Sequence, residues 1–161
     1  MIDRRERVYQ AFGAFLIDFV RDLNNSSEDG WSVLVEGPRD RRALRKLGYS
    51  GNLVTVSFLG RNGVALRDSK KVIILTDLDR EGTSLASKFV KTLGHEGVQA
   101  SLGERSRLKA ASRGVFLHIE NLARFARADD SRWGPAEGGP VPRPNKDYME
   151  GLRRYRRRVT G

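Results

Sequence analysis

The segment Val72-Ile73-Ile74-Leu75-Thr76-Asp77-Leu78-Asp79-Arg80-Glu81-Gly82 restricts the fold more than any other part of the chain. Its first four residues are apolar without alternation, as expected of a strand buried on both faces. The run then empties into three alternating carboxylates and a glycine. Side chains two apart on a strand point the same way, so Asp77 and Asp79 project together from its C-terminal end. Their oxygens suit a hard divalent cation. Mg²⁺ usually binds through one or two carboxylates plus waters and phosphate oxygens, so the pattern points to phosphate chemistry.

Helical and strand patterns alternate around this segment. Val8, Phe12, Phe15, Leu16, Phe19, Val20 and Leu23 share one stripe, which predicts an amphipathic helix from about Asp3 to Leu23. The polar run Asn24 to Gly30 reads as a linker, and Trp31 to Val35 as a short strand opening into Glu36-Gly37-Pro38. Pro38 suits a helix start. Ala43, Leu44 and Leu47 give that helix a core face, Arg39, Arg41, Arg42, Arg45 and Lys46 give it a basic one, and Gly48 closes it. A second strand is expected over Leu53 to Phe58. A turn at Gly60-Arg61-Asn62-Gly63 and a short helix then lead to the strand ending at Asp77. Leu85, Ala86, Phe89, Val90 and Leu93 predict a further helix stopped by Gly94. A weak strand at Val98 to Ser101, a helix at Glu104 to Ser112, a β-like Val115 to Ile119 and a short helix at Glu120 to Ala128 complete the pattern.

This alternation implies an α/β fold, a largely parallel four-stranded sheet covered on both faces, with ligands at the carboxyl ends of its strands. Glu36 and Asp77-x-Asp79 both fall there. The expected parts are an N-terminal helix and linker (1–30), the α/β domain (31–128) and a flexible tail (129–161). Gly134-Pro135, Gly138-Gly139-Pro140 and Pro142-Arg143-Pro144 oppose regular structure in the tail, which ends in the basic cluster Leu152 to Arg158.

With 30 Lys and Arg against 20 Asp and Glu, a formal charge of +10 draws polyanions, nucleic acid first and anionic membrane second. There is no cysteine, which excludes disulfides and thiolate metal sites. Charges break the apolar residues of Met1 to Val20, so no membrane span or signal peptide is expected, and the chain reads as cytoplasmic.

Blander explanations of the acidic run account for less of it. A calcium-hand loop fails because Lys88 occupies the twelfth position, where a bidentate Glu is needed, and a strand precedes Asp77. Helix capping accounts for Asp79 alone. His95 and His118 are too few and too far apart in sequence to indicate zinc, and a surface loop and a strand position explain them.

Val33-Leu34-Val35-Glu36-Gly37, followed after a helix and a strand by Ile73-Ile74-Leu75-Thr76-Asp77-Leu78-Asp79-Arg80-Glu81-Gly82, resembles the Toprim domain. That domain is shared by type IA and type II topoisomerases, DnaG-type primases, small maturation nucleases and recombination proteins. The Asp-x-Asp-Arg-Glu-Gly wording is similar to type IA topoisomerases, whereas the compact length and Val-Glu-Gly opening resemble small stand-alone Toprim maturation nucleases. The resemblance implies a Rossmann-type fold, with Glu36 as general acid/base, Asp77 and Asp79 holding Mg²⁺ or Mn²⁺, and Glu81 as an additional acidic ligand or water-mediated contact. Strand passage needs a further domain and gate for which this length leaves no room, primer synthesis needs a zinc-binding module that a chain without cysteine does not form, and none of Tyr9, Tyr49, Tyr148 or Tyr155 is marked as a nucleophile.

The sequence therefore predicts metal-dependent phosphodiester chemistry on RNA or DNA, with a small nuclease favoured because hydrolysis needs only water as nucleophile. Arg39, Arg42, Lys46, Arg61 and Arg80 are the expected phosphate contacts. The rival is a non-catalytic nucleic-acid-binding or assembly module, or a subunit of a larger complex, docking through the Phe-rich helix or the basic tail, or dimerising through the helix.

Overall fold

The computed structural model describes residues 3–57 and 69–126. Arg61, the turn and short helix expected around it, and the expected tail lie outside the described residues. The elements are α1 (Arg4–Glu28), β1 (Trp31–Val35), α2 (Pro38–Lys46), β2 (Leu53–Thr55), β3 (Lys71–Ile74), α3 (Arg80–His95), β4 (Gln99–Ser101), α4 (Gly103–Ser112) and a 3-10 helix (Ile119–Phe125). The four strands pair in parallel in the order β2-β1-β3-β4. From β1 the chain goes first to one neighbour and later returns on the other side. β1 and β3 therefore flank a topological switch point, where the following loops diverge and leave a crevice.

Alternation along the strands divides the core in two. Val33, Val35, Ile73 and Leu75 face α1, α4 and the 3-10 helix, where they meet Leu16, Phe19, Leu23, Leu108 and Ile119. Leu34, Val72 and Ile74 face the other way, onto Ala86 and Leu93 of α3. The Phe stripe of α1 is spent inside this core. Phe12 stacks on Phe116 at 5.1 Å and Tyr9 on Phe125 at 4.7 Å, so α1 clamps the segment after α4 against the body of the protein. No helix among the described residues is long and apolar enough to cross a membrane.

Several boundaries differ from expectation, each for a local reason. The α1 helix continues through the supposed linker to Glu28. Asn24 fastens it there, donating to the Gly48 carbonyl at 3.1 Å and accepting from the Ser50 amide at 2.9 Å. β2 stops at Thr55, and β3 stops at Ile74 instead of reaching Asp77. Beyond β3 the Leu75 amide still bonds Leu34 O at 2.8 Å, but the Asp77 amide is taken by the Glu36 carboxylate at 3.0 Å and the Leu78 amide by Leu117 O at 2.7 Å. Gly94 does not end α3, which runs to His95. Gly97, at φ +77, makes the left-handed closure, its amide bonding Gly94 O at 3.1 Å. Val115 to Ile119 is not a strand, because this segment crosses the strand ends and gives its backbone groups to the loop after β3.

Candidate metal centre

Glu36 leaves the end of β1 and reaches across the switch point. Its Oε1 accepts the Asp77 N–H at 3.0 Å, tying the two acidic loops together. Burial, more than anything else, raises the Glu36 carboxyl above the ordinary 4.5. Repulsion from Asp77, Asp40 and Asp79 adds to the rise, and the Asp77 amide opposes it.

Asp77 uses both carboxylate oxygens. Oδ1 accepts the Ile119 N–H at 2.9 Å, and Oδ2 lies 3.1 Å from His118 Nδ1. Asp79 is the N-cap of α3, where extended backbone and a side-chain oxygen replace the first missing helical bond. Oδ1 accepts the Gly82 N–H at 2.7 Å. Its other oxygen, Oδ2, lies 3.8 Å from the same His118 nitrogen. Asp77, Asp79 and His118 thus each offer one atom to a common point, all within 4.8 Å of one another. The hydrogen bond to Asp77 is the main reason that the imidazole is raised above its ordinary 6.5, against a smaller opposing effect of burial.

The loop is held from beneath. Arg105, only 7% exposed, donates Nε to Thr76 O at 3.2 Å and one terminal nitrogen to Asp77 O at 2.5 Å and to Thr83 Oγ1 at 3.0 Å. Thr76 Oγ1 donates to Gly82 O at 2.7 Å. Gly82 is required by contact: a Cβ there would collide with the Asp77 carbonyl. Beside Glu36 opens a cleft of about 440 Å³ lined by Glu36, Gly37, Pro38, Arg39, Asp40, Arg42, Asp77 and Glu120. Asp40 in this lining is buried and accepts the Gly37 amide at 3.0 Å.

Among the residues expected from sequence, Asp77 and Asp79 belong to one ligand cluster, Glu36 joins it through the Asp77 amide without being one of the three clustered ligand atoms, and Arg39 and Arg42 border the cleft that Glu36 and Asp77 line. Arg39 also stands 3.8 Å from Glu120. Lys46 is exposed at the far end of α2, away from that lining. Arg80 and Glu81 line a separate depression with Ser84, Leu85 and Lys88, so Glu81 is not among the three clustered ligand atoms. His118, Arg105 and Asp40 were not foreseen. His118 and Arg105 reach the loop from 41 and 28 residues away, and Asp40 acts on Asp77 through charge. One sequence signal did exist: Arg105 lies on the stripe of Leu108 and Ser112, a cation on an otherwise buried helix face.

A UPF0292 protein of Pyrococcus abyssi is 37% identical over 133 residues, covering 81% of this chain and 96% of that protein. A UPF0292 protein of Methanosarcina acetivorans is 29% identical over 120 residues, covering 73% and 83%. In three dimensions the chain is similar to a protein from Aquifex aeolicus, with TM-score 0.56 and 27% identity over 65% of this chain and 94% of that one. Toprim domains bind Mg²⁺ through acidic residues and act on nucleic acids. The Toprim domain family model matches residues 31–112, the stretch that supplies Glu36, Asp77, Asp79 and Arg105, and this chain belongs to the Toprim domain family, within its UPF0292 group.

Proposed function

We propose that this protein hydrolyses phosphodiester bonds of nucleic acid as a small metal-dependent nuclease. The observation that carries the reading is the convergence of Glu36, Asp77 and Asp79 on one crevice at the β1–β3 switch point, beside a cleft bordered by Arg39 and Arg42. The donor set fits a divalent cation. One oxygen of each aspartate is turned by a backbone amide, from Ile119 or Gly82, and the other faces the shared point. Asp77 and Asp79 would hold the cation, which when bound supplies neutralisation of the charge that develops on the phosphoryl oxygens.

The remaining roles belong to the chain itself. Arg39 and Arg42 draw the phosphate backbone to the cleft by charge, and Arg42 is exposed and able to approach it. Glu36, with its carboxyl raised by burial and by its acidic neighbours, holds or releases a proton at the edge of the cleft. Arg105 keeps the Asp77 carbonyl fixed, so the carboxylate does not drift when substrate arrives.

A second reading rests on one specific observation: both Asp77 oxygens already have protein partners, Ile119 N–H and His118 Nδ1. A centre satisfied in this way suits a binding or assembly module. The two readings separate when end-labelled structured RNA, single-stranded DNA and duplex DNA are incubated with the full chain and Mg²⁺, Mn²⁺ or EDTA. Metal-dependent cleavage that is lost in Asp79→Asn and in Glu36→Gln supports the nuclease. Salt-sensitive binding with no variant-sensitive product supports the module.

A further inference from the structure

We infer that His118 is the third protein ligand of the centre, and that Asp77, Asp79 and His118 form a site selecting Mn²⁺ and other divalent transition-metal cations over Mg²⁺. The inference rests on the reading of Asp77 and Asp79 as metal ligands and goes beyond it in assigning a nitrogen donor and a metal preference.

Geometry is the first support. His118 Nδ1 lies 3.1 Å from Asp77 Oδ2 and 3.8 Å from Asp79 Oδ2. Ligands at about 2.1 Å from a cation stand roughly 3.0 Å apart in adjacent octahedral positions and roughly 3.4 Å apart in tetrahedral ones. The observed separations start near the octahedral value and run past the tetrahedral one, and the three ligand atoms all fall within 4.8 Å of one another, so a cation enters once the loop and the imidazole draw together and the Nδ1 proton shared with Asp77 is released. A simple surface ion pair needs one carboxylate, and Asp77 alone would satisfy it. Here the nitrogen is directed at two.

Preorganisation is the second. His118 is not a free arm, although its side chain is 47% exposed. On one side of it Leu117 O accepts the Leu78 N–H at 2.7 Å, and on the other the Ile119 N–H donates to Asp77 Oδ1 at 2.9 Å. Phe116 and Ile119 are buried at either flank, with Phe116 stacked on Phe12. The backbone around His118 is thus pinned to the ligand loop by bonds that do not involve the imidazole. Each aspartate also has its second oxygen oriented by an amide, the outer support that ligating carboxylates have.

The donor type gives the selectivity. Mg²⁺ takes oxygen and keeps several waters, whereas imidazole suits Mn²⁺ less strongly than Co²⁺ or Zn²⁺ but better than it suits Mg²⁺. Replacing one water by His118 therefore raises affinity for the transition ion and does little for Mg²⁺.

The chain has two histidines, which makes a direct test simple. Imidazole ¹⁵N–¹H spectra of the metal-free full chain are recorded while substoichiometric Mn²⁺ is added. Selective broadening of the His118 signals, with His95 unaffected, is the expected result. In parallel, loss of the free Mn²⁺ paramagnetic signal gives the affinity, with Mg²⁺ as competitor. His118→Ala should weaken Mn²⁺ by at least about tenfold and leave Mg²⁺ within about twofold, so that the preference collapses. His118→Gln, which keeps a polar side chain of similar reach, should show the same loss with the fold retained by circular dichroism. Unchanged Mn²⁺ affinity in both variants, or equal broadening of both histidines, overturns the assignment of His118. Asp79→Asn separates the two levels: if it abolishes binding of both ions while the His118 variants bind as wild type, only the histidine inference fails. If Asp79→Asn leaves both affinities intact, the metal-centre reading fails with it.

Discussion

Arg105 bonds the backbone, not the carboxylate, of Asp77: one terminal guanidinium nitrogen lies 2.5 Å from the Asp77 carbonyl oxygen and is shared with Thr83 Oγ1 at 3.0 Å. A buried cation therefore sits behind the acidic loop and fixes its main chain while leaving the side chains turned outward. Burial lowers the guanidinium below its ordinary value, and the nearby Asp79, Glu36 and Asp77 charges counter that effect. Arg105→Leu strands the Thr76 and Asp77 carbonyls and removes the compensating charge. At about 1 to 3 kcal/mol for each unsatisfied buried group, the expected loss of stability is about 3 kcal/mol. Arg105→Lys keeps the charge without the fork and should lose less. Urea unfolding midpoints check both, and an unchanged midpoint for Arg105→Leu would contradict this account.

Asp79 has two duties that different substitutions separate. Asp79→Ala removes the cap oxygen that accepts the Gly82 amide at 2.7 Å and should cost about 1 kcal/mol. Asp79→Asn retains a capping oxygen and should unfold within a few tenths of a kcal/mol of wild type, by the similar ranking of Asn and Asp as caps. Both should lose divalent-ion binding. Thermal unfolding beside ion titration reads the two effects independently, and ion affinity retained by Asp79→Asn would reduce Asp79 to a cap.

Asp40 gives a pH dependence with a definite sign. Burial raises its carboxyl above the ordinary 3.8, repulsion from Asp77 adds to the rise, and amides of Gly37 and Glu120 oppose it. A carboxyl raised in the folded state holds its proton more tightly there than in the unfolded chain. The folded state consequently loses stability relative to the unfolded one as pH climbs from 3.8 through the raised value, and the penalty is constant above it. Asp40→Asn removes the ionisation. The difference in melting temperature between variant and wild type should move in the variant's favour on going from about pH 4 to pH 7 and then level off. A pH-independent difference would show that the carboxyl is not raised.

The basic face of α2 should act unevenly. Arg42 lines the cleft beside Glu36, and Lys46 ends the helix outside that lining. Arg42→Ala should reduce nucleic-acid affinity and lower the slope of log affinity against log salt by about 1, the loss of one phosphate contact. Lys46→Ala should change the slope by less than half of that. Fluorescence anisotropy at several salt concentrations measures both, and equal effects would mean that the whole stripe, not the cleft, meets the phosphates.

These predictions divide between residues that the sequence displays and residues that it hides. Glu36, Asp77 and Asp79 were legible because each follows an apolar strand run, and parallel strands bring such ends to one edge. Glu81 shows where period-two logic stops. The chain becomes helical at Arg80, each further residue turns by about 100°, and Glu81 lines the depression with Lys88 instead. Val115 to Ile119 has strand composition, but the sheet already ends at β4 on that side, and the loop after β3 offers its amides instead. His118 was hidden for the same reason. Its meaning depends on a crossing that only the packing of Phe116 and Ile119 beneath α1 defines.

That crossing also bears on what can be borrowed from this protein. The family-matched stretch, 31–112, has the sheet and the acidic loop, yet both partners of the Asp77 carboxylate, Ile119 and His118, come from beyond it. A graft cut at the family boundary would transplant the motif without its clasp, leaving Asp77 to find new donors in the host. The portable unit is longer than the recognisable one: it extends through Phe125 and takes α1 with it, because the Phe12 and Tyr9 rings hold the clasp shut.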